Sequence, residues 1–108
     1  MPTDTLDRLS ATIRARRADQ ATNSYTRQIL ESGPERCAKK LGEEAVEVVI
    51  AAVHQSDEAV KAEAADLLYH LLVVLEVRNI DLDDVLDVLE GRMGTSGLDE
   101  KAARRTGA

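Results

Sequence analysis

Apolar residues recur along this chain at intervals of three and four, the spacing of one face of an α-helix. Leu6, Leu9 and Ile13 mark the first such face. Thr3 or Asp4 can cap that helix, and Arg14, Arg16 and Arg17 load its last turn, where cations suit the helix dipole. A loop through Thr22 and Asn23 follows, and Ser24 can cap a short helix containing Tyr25, Ile29 and Leu30. Gly33 stops it and Pro34 starts the next, because glycine favours helix ends and proline the first helical turn. This second long helix is expected to reach about Gln55. Ser56, with Asp57 and Glu58 behind it, caps a third that runs to about Arg78 and is ended by Asn79. Asp81 caps a fourth, with Asp84 in the capping-box position and Leu82, Val85 and Leu89 toward the core. The expected fold is all-α, four main helices in a bundle over residues 1–94. Residues 95–108 form a small, polar tail in which Ser96 and Asp99 could start one short helix.

Composition narrows the classes further. Two tyrosines, with no tryptophan or phenylalanine, argue against a β-sandwich, an aromatic RNA-binding sheet and single-strand binding by base stacking. A hydrophobic content of 44% is too high for a disordered chain. The lone Cys37 excludes an intrachain disulfide and a zinc ribbon, and it falls on an apolar face as a buried thiol. The longest apolar run, Leu71 to Leu75, is far short of a membrane span, and no signal-peptide pattern opens the chain. A cytoplasmic, soluble protein with no membrane partner is expected. Net charge is −6, with a cationic surplus in residues 1–40 and the acidic surplus after them. Such a chain is a poor binder of nucleic acid, yet it can hold a phosphorylated small molecule if a metal bridges the like charges.

The acids are not spread evenly round their helices. At about 100° per residue, Lys40, Glu43, Glu44 and Glu47 share one stripe of the second long helix, and most of the remaining circumference is apolar. On the third, Glu63, Asp66 and His70 share a stripe flanked by Val73 and Val74. If two antiparallel helices face these stripes together, Glu44, Glu47, Glu63 and Asp66 converge. Uncompensated carboxylates in a half-buried site repel one another, and a divalent cation removes that cost. Oxygen ligands select Mg²⁺, with Mn²⁺ as a substitute, over zinc. An isolated EExxE is more often a solvated face. The second acidic pair, set in the most apolar helix, favours a metal site. A ferritin-like di-iron centre needs Glu-x-x-His pairs, and neither His54 nor His70 has a glutamate three residues before it. Gly42 lies inside the same helix, where it costs ~1 kcal/mol against alanine, and there it would admit close approach of a backbone or ligand.

Glu43-Glu44-Ala45-Val46-Glu47 followed by Glu63-Ala64-Ala65-Asp66 resembles the EExxE…ExxD signature of the all-α (MazG-like) nucleoside triphosphate pyrophosphohydrolases. Ser24-Tyr25-Thr26, Lys40-Leu41-Gly42-Glu43-Glu44 and Ala65-Asp66-Leu67-Leu68-Tyr69-His70 are similar to the phosphoribosyl-ATP pyrophosphohydrolases of histidine biosynthesis, in order and spacing from Leu6 to Arg92. The resemblance implies hydrolysis of the α–β phosphoanhydride of 1-(5-phosphoribosyl)-ATP to 1-(5-phosphoribosyl)-AMP and pyrophosphate. It implies Glu44, Glu47, Glu63 and Asp66 as Mg²⁺ ligands, and Glu43, Glu44 and Glu47 as the catalytic motif. Glu43 would orient water or support the ligands, and a water deprotonated by a neighbouring carboxylate would be the nucleophile. The alternatives are a pyrophosphohydrolase of non-standard nucleoside triphosphates and a non-catalytic helical interaction module.

Several further residues carry two readings each. Lys40 is either a phosphate contact or an ion-pair partner of Glu43 or Glu44. Ser24, Tyr25 and Thr26 offer hydroxyls to a phosphate or serve as cap and core. His70 either supports the ligands or is a hydrogen-bonded core histidine. Arg92 is a surface cation or a phosphate clamp. Finally, the second and third long helices are apolar round more of their circumference than four helices can cover. A homodimer is therefore expected.

Overall fold

The computed structural model describes residues 2–19 and 24–94. It contains helices α1 (Pro2–Ala18), α2 (Tyr25–Glu31), α3 (Pro34–His54), α4 (Asp57–Val77) and α5 (Leu82–Met93). There is no strand among the described residues, so the fold is all-α. The loop residues Thr22 and Asn23 and the tail helix at Ser96 lie outside the described residues.

Local chemistry sets most of the boundaries. α1 begins at Pro2, before both expected caps, so Asp4 sits inside its first turn. Ser24 Oγ accepts from the Arg27 N–H at 3.1 Å and Ser56 Oγ from the Ala59 N–H at 3.3 Å, capping α2 and α4. Gly33 takes φ 95° between α2 and Pro34, a conformation glycine adopts without strain. α4 ends on Asn79 at φ 58°. Its N–H reaches the Glu76 carbonyl at 3.0 Å, and the Ile80 N–H reaches the Leu75 carbonyl at 2.8 Å. These paired bonds satisfy the last carbonyls of the helix. Asp81 precedes α5 but makes no side-chain cap, and the expected capping box does not form. Its carboxylate instead accepts from Arg14 Nη2 at 2.9 Å.

A two-residue connection folds α3 and α4 into an antiparallel hairpin, against which α1 and α2 pack. The core joins Ile13, Ile29, Leu30, Cys37, Leu72 and Val73. Cys37 is fully buried, as expected, and its Sγ–H donates to the Ile29 carbonyl at 3.2 Å. The arginines of α1 do more than meet its dipole. Arg14 Nε and Arg17 Nη1 donate to the buried Glu76 carboxylate at 3.1 and 2.9 Å, tying the ends of α1 and α4 together.

This core covers only part of the hairpin surface. Val46, Val49, Ile50 and Val53 of α3 and Leu68 and Leu71 of α4 stay exposed, Val53 by 69%. α5 buries no residue. Leu82 packs on the core and Val85 is half-buried, but Leu89 is 49% exposed rather than core-facing. The apolar face of α5 finds no cover within the described residues beyond its start.

Candidate functional site

The hairpin register decides which acids meet. Glu44 on α3 comes opposite Glu63 and Asp66 on α4, and one carboxylate oxygen from each lies within 4.8 Å of the others. Glu44 and Glu63 are half-buried and Asp66 is exposed. Burial, followed by repulsion from Asp66, Glu47 and Glu44, pushes the Glu63 carboxyl above the usual carboxylate range. Three convergent carboxylates with an elevated member are a donor set suited to a hard divalent cation. Glu47 is exposed and lies outside this trio, though close enough to act on Glu63.

Lys40 flanks the cluster. Its Nζ sits 3.3 Å from Glu44 Oε1 and 3.8 Å from Glu43 Oε1. The Glu44 hydrogen bond raises the Lys40 ammonium above its ordinary value. Glu43 is exposed and lines a cleft of about 660 Å³ between α2 and α3. Tyr25 and Ile29 wall this cleft on the α2 side, with Arg36, Lys39 and Lys40 on the α3 side.

α2 is stitched to α4 beside the acids. His70 Nδ1 lies 2.9 Å from the Asp66 carbonyl, and that oxygen can only accept. The ring proton is therefore on Nδ1, and in the neutral ring Nε2 accepts from the Tyr25 hydroxyl at 3.2 Å. Burial raises the Tyr25 hydroxyl above the ordinary phenol value, which keeps its proton in place to donate. Thr26 bonds the Tyr69 hydroxyl, and Tyr25 and Tyr69 stack with centroids 6.4 Å apart.

The structure thus gathers Glu44, Glu63 and Asp66, with Lys40 and Glu43 alongside and Tyr25 and His70 behind. Ser24 and Thr26 use their hydroxyls in the cap and the buried bond to Tyr69. Arg92 is exposed near the end of α5 and does not line the cleft. Nothing within 4 Å would meet a Cβ at Gly42, so no part of the described chain makes the close approach expected there. Arg36 and Lys39, which also line the cleft, share the side of α3 that leads to Glu43 and Glu47, and that helical spacing is visible in the sequence.

Comparison with known proteins gives the chain's family. The family pattern of phosphoribosyl-ATP pyrophosphohydrolase matches residues 6–93. The phosphoribosyl-ATP pyrophosphatase of Cereibacter sphaeroides is 52% identical over 99 residues, covering 92% of this chain and 96% of its own. The protein of the same name from Caulobacter sp. is 54% identical over 101 residues, covering 94% of each chain. That from Roseobacter denitrificans is 53% identical over 100 residues, covering 93% of this chain and 95% of its own. By the matched span and these identities, the chain belongs to the phosphoribosyl-ATP pyrophosphohydrolase family.

Proposed function

We propose that this protein is a cytoplasmic, Mg²⁺-dependent hydrolase of 1-(5-phosphoribosyl)-ATP. It cleaves the α–β phosphoanhydride in the second step of histidine biosynthesis and releases 1-(5-phosphoribosyl)-AMP and pyrophosphate. The observation that carries this reading is the meeting of Glu44, Glu63 and Asp66 across two helices, in a chain of that family. Glu47 turns in to complete the set of four. Mg²⁺, or Mn²⁺ in its place, would neutralise polyphosphate charge and stabilise the charge that develops on the transferred phosphorus.

The chain's own residues do the rest. Lys40, beside Glu44, offers its ammonium to a phosphate oxygen. Glu43, outside the trio, is placed to orient the attacking water and take its proton. Water supplies one oxygen, the anhydride P–O bond breaks, and pyrophosphate leaves. His70 fixes the turn that carries Asp66 and holds Tyr25 against it.

The active form is a homodimer. In support, six large apolar side chains of α3 and α4 lack cover. The radius of gyration is 16.3 Å, against about 13 Å for a compact domain of about 100 residues. Among the described residues no helix is long and apolar enough to cross a membrane, which removes lipid as the cover through a helical span.

The test is direct. Pure protein with Mg²⁺ is given phosphoribosyl-ATP beside a panel of ordinary nucleoside triphosphates, and pyrophosphate is assayed. Release from phosphoribosyl-ATP well above the panel is expected. Equal or greater release from an ordinary triphosphate would overturn the reading.

A further inference from the structure

We propose that the cleft between α2 and α3 grips the phosphate monoester of the second ribose, through Arg36 and Lys39, and that this grip separates phosphoribosyl-ATP from an ordinary triphosphate. The proposal rests on the function above and deepens it. Phosphoribosyl-ATP is anionic at both ends. An acidic cluster can accept the triphosphate only through a cation, and the monoester at the other end needs positive charge supplied by the chain.

The chain is acidic as a whole, so local positive charge in a concave place is informative. The cleft, of about 660 Å³, is within the range of small-molecule sites and opens beside Glu43. Three cations line it. Lys40 stands beside Glu44 and Glu43, at the end of the cleft given above to the triphosphate. Arg36 and Lys39 make no ion pair or side-chain hydrogen bond among the described residues, although Glu35 and Glu43 share the lining. Two unpaired cations on one wall are free to take a phosphate, and a guanidinium matches its oxygens two at a time.

Position supports the same partner. Arg36 and Lys39 lie in the first two turns of α3, where the helix dipole adds positive potential. Arg36 and Glu44 are eight residues apart on one helix, roughly 12 Å along its axis. The far phosphate and the triphosphate can therefore engage the same helix at separate points. Tyr25 and Ile29 supply an aromatic and apolar wall between them, facing the adenine and ribose.

The experiment compares two products that differ only in the second ribose phosphate. Affinities for phosphoribosyl-AMP and AMP are measured with Mg²⁺ by calorimetry, on wild type, Arg36→Gln, Lys39→Gln and the double variant. Both side chains are exposed, and thermal melts verify folding. Wild type is expected to favour phosphoribosyl-AMP, and each variant to lower that ratio by about tenfold, the scale of one charged hydrogen bond. Arg36→Lys should restore part of the loss. A wild-type ratio near one, or a ratio that holds while both ligands weaken together, would overturn the grip. Wild type that turns over phosphoribosyl-ATP while the ratio stays fixed in the variants sinks the grip alone. Wild type inert on phosphoribosyl-ATP sinks the function beneath it.

Discussion

Lys40 Nζ lies 3.3 Å from Glu44 Oε1, so the cation and the carboxylate one helical turn apart are bonded to each other before any substrate arrives. This pair is fed from one exposed side and contributes little to folding, about 0.3–0.5 kcal/mol for such helix pairs. Lys40→Ala is expected to lower kcat/KM more than tenfold, about 1.4 kcal/mol in the transition state, with a small change in Tm. Unchanged kinetics would reduce Lys40 to its ion pair.

The proposed ligand set, the trio with Glu47 added, makes a metal-removal prediction. Glu47→Gln and Asp66→Asn are each expected to abolish most activity while leaving helicity by circular dichroism intact. Mg²⁺ should raise the Tm of wild type, by the equivalent of about 2.7 kcal/mol at a hundred times its Kd. The shift should shrink in Asp66→Asn. Full turnover in both variants at saturating substrate would remove these residues from the site.

Glu63 makes a pH prediction. Its carboxyl is raised in the folded chain, so the folded state holds that proton more tightly than the unfolded state. The resulting stability is present below the ordinary carboxylate pKa and is lost as pH rises through the elevated folded value. Without Mg²⁺, Glu63→Gln is expected to be more stable than wild type, by a margin that grows with pH across this window. Mg²⁺ should shrink the margin. Melting curves over a pH series check both statements.

Glu76 is the anchor of α1. Its side chain is 9% exposed and is shared by Arg14, itself 58% exposed, and Arg17, at 39%. Arg17 Nη1 also donates to the Glu76 carbonyl at 2.7 Å. Glu76→Gln is expected to cost about 1–3 kcal/mol, the scale of lost charge-assisted hydrogen bonds. Arg17→Ala should cost more than Arg14→Ala, since Arg17 holds the Glu76 carboxylate, the Glu76 carbonyl and Asn79 Oδ1, against two carboxylates for Arg14, and is less solvated. Denaturant titrations give the order.

The uncovered hairpin face predicts assembly. Val49→Asp places a charge among Val46, Ile50 and Val53 and is expected to dissociate the dimer, with loss of activity. The interface should exceed about 2,000 Å² in total, as obligate dimers do. Sedimentation equilibrium decides it. A folded, active 11.8 kDa species at micromolar wild-type concentration ends the proposal.

The parts of this fold that were legible in the sequence are those that depend on near neighbours. Ser24, Ser56, the Gly33–Pro34 step and Asn79 act on backbone groups within a few residues, so their helix ends could be placed in advance. The acid stripes were legible because helical spacing alone fixes which residues share a face. Partners chosen across the fold were not. Asp81 had the residue type of a cap, yet its carboxylate went to Arg14, 67 positions away. Glu76 sat in an apolar helix end with nothing nearby to announce two arginines from α1. Leu89 kept the spacing of a core residue on a helix that leaves the core after its first turn. Glu47 shared its stripe with Glu44, but the hairpin register left it outside the trio.

One continuous helix, α3, carries Arg36, Lys40, Glu44 and Glu47. That makes it a ruler, on which the gap between anion grip and acid cup is counted in residues and not tuned by a loop. A single residue inserted between Arg36 and Glu44 would lengthen the gap by only about 1.5 Å, but would swing one group about 100° away from the other. An insertion at Gln55 or Ser56 falls in the exposed connection, where the added residue can bulge outward and leave the hairpin register intact. Length changes within α3 between Arg36 and Glu44 therefore scramble the chemistry without unfolding the helix.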